Sequence, residues 1–257
     1  MKYLLFLLLL LNLLFSKSVT KTECQNLKGN FIFAGGECLE YAAFDGEKKD
    51  KLIVIIHGAW KEGTNTLARY KPFAESLNLD TDITTVAIAL PGYSKSSTNK
   101  LTALTNKNAP KYMSVTKEYI EFLTKVLEKF KQKYKAKELS VIAHSAGAMA
   151  TATILGYKPH LIKNALLAGG RYVAKSNNKN LLFASKFLDK IPKDTNIILV
   201  YGTKDNISKP KETIEFYKMA KSKGLNVLLV EVKGHKHVDL DMSQEAVDAF
   251  EKLLEKN

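Results

Sequence analysis

An α/β fold, with a mostly parallel central sheet and helices on both faces, is predicted by three observations. Short apolar, β-branched runs alternate with longer amphipathic stretches through most of the 257 residues. The runs at 52–56 (LIVII) and 84–90 (TTVAIAL) are continuously apolar or β-branched, which suits strands buried on both faces. Several runs end in glycine, serine or histidine turns that open into a helix-compatible segment, so strand and crossover alternate as a parallel sheet requires.

The chain opens on Met1-Lys2, an apolar run at 3–15 interrupted at Asn12, and the small-residue segment Ser16-Lys17-Ser18. A charged start, a short apolar centre and small residues before a cut are the parts of a signal peptide, here 1–18, and the run is short for a membrane span. Export to the periplasm or extracellular space is therefore expected, with the folded domain occupying 19–257. Cys24 and Cys38 are the only cysteines. Two thiolates cannot complete a four-ligand metal site, whereas an oxidising compartment favours pairing them. One disulfide is predicted to pin an N-terminal hairpin, contributing about 2–4 kcal/mol through loop closure.

That hairpin is read from strands at 30–34 and 38–44 around Gly35-Gly36. A polar turn at 45–50 leads to the 52–56 strand. It ends in His57-Gly58-Ala59-Trp60, and a helix follows over 66–77 with Leu67, Tyr70, Phe73/Ala74 and Leu77 at helical spacing. After the 84–90 strand, Pro91-Gly92 opens an irregular, polar stretch, and a small lid segment is expected at 93–112. Val115, Tyr119, Phe122/Leu123, Val126 and Phe130 mark a long amphipathic helix. A strand at 139–143, a serine turn, a helix through Ile154 and a strand at 164–168 come next. A second lid segment is expected at 171–193. The strand at 196–201, helix 211–223, strand 226–232 and a last helix from about Ser243 close the chain. Neither an internal repeat nor a second-domain linker is visible.

The formal net charge is +13, and +11 once Lys2 and Lys17 are removed with the signal region. The lysines are spread over helices and loops, with Lys125, Lys129, Lys131, Lys133, Lys135 and Lys137 flanking one helix end. No aromatic–basic module or recognition helix accompanies them, so no specific nucleic-acid partner is expected. Weak attraction to anionic polymers or envelope lipids is the expected consequence of the charge.

In an open α/β sheet the reactive groups gather at the carboxyl ends of the strands. Four segments fall there: His57–Trp60, Ser145, Asp205 and His235/His237. A serine hydroxyl is a poor nucleophile until an imidazole can take its proton, and the imidazole needs a carboxylate to orient it. Ser145 lies in Ala143-His144-Ser145-Ala146-Gly147, where a strand runs into a helix. Only Gly147 keeps a glycine of the G-x-S-x-G elbow. Asp205 follows its strand; Asp194 precedes it, at the wrong sheet end, and Asp189 lies in the second lid segment. Either His235 or His237 could reach the site.

The segments IIHGAW, ALPGYS, AHSAGA, VYGTKD and VKGHKH resemble the α/β-hydrolase superfamily, over essentially the whole mature length. The resemblance implies an α/β-hydrolase fold with Ser145 as nucleophile, Asp205 as acid and His237 as base, His235 being the alternative. It also implies an oxyanion hole from the amides of Ala146 and Ala59, with Trp60 sharing or replacing Ala59. His144 is expected to pack or shape the pocket, and His57-Gly58 to shape the oxyanion loop. Trp60, Tyr93, Met149 and Tyr172 are expected to wall an apolar acyl or alcohol pocket. No metal or other cofactor is expected, since neither H-E-x-x-H nor G-x-G-x-x-G occurs. The reading is serine-dependent hydrolysis of a carboxylic ester on a small-molecule or acylated substrate. The alternatives are amide, peptide or thioester hydrolysis, or a non-catalytic envelope binding protein that kept the fold.

Overall fold

The computed structural model describes residues 18–174 and 178–255. The expected signal peptide at 1–18 lies almost wholly outside the described residues. Eight strands form one sheet in the order β1-β2-β4-β3-β5-β6-β7-β8: β1 (Phe31–Ala34), β2 (Glu37–Phe44), β3 (Lys51–Ile56), β4 (Thr84–Ile88), β5 (Glu138–His144), β6 (Asn164–Ala168), β7 (Asn196–Gly202) and β8 (Asn226–Val232). Only β2 runs against its neighbours; β3 to β8 are parallel. This is the predicted mostly parallel sheet.

Helices cover both faces: α2 (Thr66–Thr81), α3 (Lys117–Lys133), α4 (Ser145–Tyr157), α5 (Pro210–Ser222) and α6 (Gln244–Glu255). The pleat decides which side chains meet which layer. Leu52, Val54 and Ile56 of β3 join the core under α3, α4 and α5, with Leu123, Phe130, Ala152 and Phe216. Ile53 and Ile55 turn the other way, onto Tyr70, Ala74 and Leu77 of α2 and Phe250 of α6. A continuous apolar strand is thus needed because both of its faces are covered.

Several boundaries depart from the sequence reading for identifiable reasons. A short α1 (Lys21–Gln25) was not expected; Thr20 and Glu23 form a reciprocal capping box that starts it. Cys24 and Cys38 are bonded as predicted, but the bridge ties α1 to β2 of the hairpin. The 84–90 run stops pairing as a strand at Ile88, and the Leu90 amide donates to the His57 ring instead. Val115 belongs to a 3-10 turn, Met113–Val115, because Thr116 caps α3 and its hydroxyl accepts from the Tyr119 amide. The helix expected to end at Leu77 continues to Thr81, and Asp82 (φ 58°) terminates it.

The two irregular segments are tied down differently. Glu37, wholly buried, accepts from the Ser97 hydroxyl (2.6 Å) and from the amides of Asn99, Lys100 and Leu101 (2.7, 2.6 and 2.9 Å). One carboxylate therefore anchors the start of the 93–112 segment to β2, next to the disulfide. Further along, Thr116 and Leu181 form an isolated antiparallel bridge, and the Leu182 amide donates to the Val115 carbonyl at 2.7 Å. Tyr112 packs edge-on against Phe183, ring centroids 5.5 Å apart, so the two segments themselves also meet. Glu37→Ala would leave four donors without their acceptor. It is expected to cost about 3–5 kcal/mol, within the range for breaking a buried charged network. Urea unfolding of both proteins measures the loss, and a change below about 1 kcal/mol would contradict it.

Candidate active site

Strand β5 delivers Ser145 at its carboxyl end, where the chain turns sharply into α4. Ser145 sits at φ 51°, a left-handed conformation that a non-glycine residue adopts only when its surroundings impose it. Crowding explains the small residues around it. A Cβ on Gly147 would come within 2.6 Å of the His57 carbonyl oxygen, and one on Gly58 within 2.8 Å of the Ser145 Cβ. The elbow and the loop after β3 are therefore in direct contact. Ala143 takes the position of the other elbow glycine and is fully buried without displacing the turn.

A continuous hydrogen-bonded chain runs from that serine. Ser145 Oγ lies 2.9 Å from His237 Nε2, and His237 Nδ1 lies 2.8 Å from Asp205 Oδ2. Asp205 Oδ1 accepts from the amides of Ile207 and Ser208 at 2.8 and 2.9 Å, which aims its second oxygen at the ring. Burial pushes the Asp205 carboxyl upward. The hydrogen bond and charge of His237, with the two amides, outweigh burial and hold it below the usual carboxylate range. With Asp205 ionised, Nδ1 carries the proton and Nε2 is left to accept from the serine. His235 stands half-buried on the same loop; its carbonyl accepts from the Lys204 amide, and it is His237 that meets Ser145.

Two further histidines hold backbone. His57 donates from Nδ1 to the Gly58 carbonyl (2.7 Å) and accepts at Nε2 from the Leu90 amide (3.0 Å), a pairing open only to the neutral ring. Complete burial lowers its pKa to about 4. His144, next to Ser145, bonds through Nε2 to the His237 carbonyl at 2.9 Å, so it ties the strand-to-helix turn to the histidine loop. Arg69 makes a second tie. Its guanidinium lies 5.1 Å from the centre of the Trp60 ring and pairs with Asp239, two residues past His237. Neither His144 nor Arg69 was singled out for this role in the sequence, nor was Glu37. The one visible signal was a lone acid opening an apolar strand, Gly36-Glu37-Cys38.

The His57 geometry carries a pH dependence. Unfolded, His57 binds a proton near its usual 6.5; folded, only near 4. Between those values the unfolded chain holds the extra proton, so stability falls as pH drops from about 6.5 and levels off below about 4. The loss attributable to this one ring is about 3 kcal/mol. Urea midpoints of the wild type and His57→Gln between pH 7 and 4 should show the wild type losing more by that amount. Parallel curves would refute the assignment.

Of the expected wall residues, only two are near the serine's surroundings. Trp60 is half-buried on the loop after β3, and Met149, one turn past Ser145, packs with Val115, Leu181 and Phe183. Tyr93 and Tyr172 have no exposed surface and belong to the core, which corrects the expectation that they face a pocket. Each hydroxyl is committed to backbone: Tyr93 donates to the Trp60 carbonyl (2.8 Å), and Tyr172 donates to that of Leu167 (3.1 Å). They support the loops from behind. Ala59 is exposed, Ala146 is half-buried in the first turn of α4, and amides of a first helical turn lack intrahelical partners. Among the described residues no cluster of three or more His, Cys, Asp or Glu side chains is placed to hold a metal.

Comparison with known proteins agrees with this fold. Residues 51–194 match the family model described as alpha/beta hydrolase fold. The chain belongs to the α/β-hydrolase fold family. No curated protein matches it by sequence. Among solved structures, it is similar to the esterase Pf2001 of Pyrococcus furiosus (TM-score 0.67, 17% identity, covering 92% of this chain and 95% of that one). It is also similar to Est1E of Butyrivibrio proteoclasticus, solved with ferulic acid bound (TM-score 0.63, 14% identity, covering 89% and 97%). A third is the monoacylglycerol lipase of Paleococcus ferrophilus (TM-score 0.60, 15% identity, covering 85% and 97%). At these identities the likeness is one of fold.

Proposed function

We propose that this α/β-hydrolase is an exported serine hydrolase that cleaves a carboxylic ester or a related acyl bond. The observation that carries the reading is the unbroken hydrogen-bonded chain Asp205–His237–Ser145 at a strained strand-to-helix turn. Ser145 Oγ attacks the acyl carbonyl while its proton passes to His237 Nε2. The tetrahedral oxyanion is met by the amides of Ala146 and Ala59, or Trp60, at the positive end of α4. One such donor is worth about 3–4 kcal/mol in the transition state. His237 returns the proton to the leaving group, then takes one from water as it attacks the acyl-enzyme, and Ser145 is regenerated. Asp205 stays ionised and stabilises the imidazolium throughout.

Ester cleavage is preferred to amide, peptide or thioester cleavage because it asks least of leaving-group protonation. Structural neighbours described as an esterase and a monoacylglycerol lipase support the same choice. The Cys24–Cys38 bridge supports an oxidising compartment, periplasmic or extracellular. A fluorophosphonate should label Ser145 and abolish hydrolysis of a graded panel of acyl esters. A folded protein that neither labels nor turns over any of them would instead be a binding protein that kept the fold.

A further inference from the structure

The surface around the site has a composition that hydrolysis alone does not require. The loops after β7 and β8 lie side by side at the carboxyl edge of the sheet. The Gly234 amide donates to the Thr203 hydroxyl (2.8 Å) and the Lys204 amide to the His235 carbonyl (2.9 Å). These loops carry Asp205 and His237, and between them they expose Lys204, Lys209, Lys233 and Lys236. Of the carboxylates on these loops, Asp205 is engaged with His237, Asp239 pairs with Arg69, and Asp241 is fully buried, away from the exposed face. Among the described residues none of the four lysines is held in an ion pair, so the charge faces solvent uncompensated.

Apolar side chains stand among those cations. Ile207 is 51% exposed and Val238 47% exposed, each within two residues of a member of the Ser145 hydrogen-bonded chain. Asp205 accepts from the Ile207 amide and Arg171 donates to its carbonyl, so the tip is presented on a braced turn. A hydrated polyanion has no use for exposed aliphatic tips, whereas a bilayer interface takes both the tips and the lysines. We propose that this face docks on an anionic lipid surface, with Ile207 and Val238 entering the headgroup region and Lys204, Lys209, Lys233 and Lys236 facing the lipid phosphates. The sheet edge that carries Ser145 then faces acyl chains held in the membrane. Docking rests on the loops themselves, and the use made of it rests on the hydrolase reading.

The chain contains a single tryptophan, Trp60, half-buried on the loop beside the same site, which makes the orientation measurable. The test is cosedimentation of the full chain with phosphatidylglycerol–phosphatidylcholine vesicles and with phosphatidylcholine alone, with no turnover required. Each lysine near an anionic surface is worth about fivefold in partitioning (about 1 kcal/mol). Lys204→Glu/Lys236→Glu should therefore weaken binding by at least about thirtyfold, while Lys125→Glu/Lys129→Glu on α3, with the same change in net charge, should weaken it only slightly. Ile207→Asn/Val238→Asn should also release the protein, and brominated lipid should quench Trp60 in the wild type. Equal losses in the two charge-reversed proteins would overturn the proposal. So would equal binding to uncharged vesicles, capture by a soluble polyanion but not by vesicles, or binding without quenching. Failure of Ser145 to react with a fluorophosphonate would remove the hydrolase reading and leave docking standing.

Discussion

Ser145→Ala is expected to reduce kcat/KM on any accepted acyl ester by about 10⁴–10⁶-fold and to abolish fluorophosphonate labelling. The size follows from the proposed mechanism, in which the Ser145 hydroxyl, 2.9 Å from His237, is the attacking group. Folding should be untouched, because alanine meets much the same backbone cost as serine at φ 51°. Ser145→Gly supplies the complementary measurement. Glycine relieves that strain, so the variant should melt no lower than the wild type while remaining inactive. Label found on another residue, or turnover retained in Ser145→Ala at more than about one part in a hundred of wild type, would contradict the assignment.

His237→Ala is expected to cost a similar factor of about 10⁴–10⁶, and His235→Ala to leave activity near wild type. The two rings are two residues apart on one loop, yet only His237 lies between Ser145 and Asp205. His235 contributes its carbonyl to the Lys204 amide, a contact that alanine retains. In the proposed mechanism serine and histidine act as one unit, so the double variant Ser145→Ala/His237→Ala should be scarcely worse than either single variant. Equal activity in the two histidine variants, or additive losses in the double, would show that the proton leaves Ser145 by another route.

The regular elements were legible because each carries its own period. Apolar runs such as 52–56 and 164–168 are covered on both faces, and the 3.6-residue spacing of Tyr119, Leu123, Val126 and Phe130 is local information. Boundaries were less legible where a side chain from elsewhere took a backbone group. The His57 ring accepting from the Leu90 amide ends a run that by composition could have continued. Likewise, Tyr93 and Tyr172 have the composition of pocket walls, but their burial depends on what packs around them.

The sequence by itself determined the alternation of strand and helix, the pairing of the only two cysteines, and the placing of serine, aspartate and histidines at successive strand ends. Those features follow from local periodicity and from chain order. Only the tertiary structure decided that His237 rather than His235 meets Ser145, and that Glu37 anchors a loop some sixty positions away. It alone brought four lysines and two aliphatic tips to one edge. Such choices turn on distances between residues far apart in the chain, and neighbouring residues carry no record of them until the sheet sets strand beside strand.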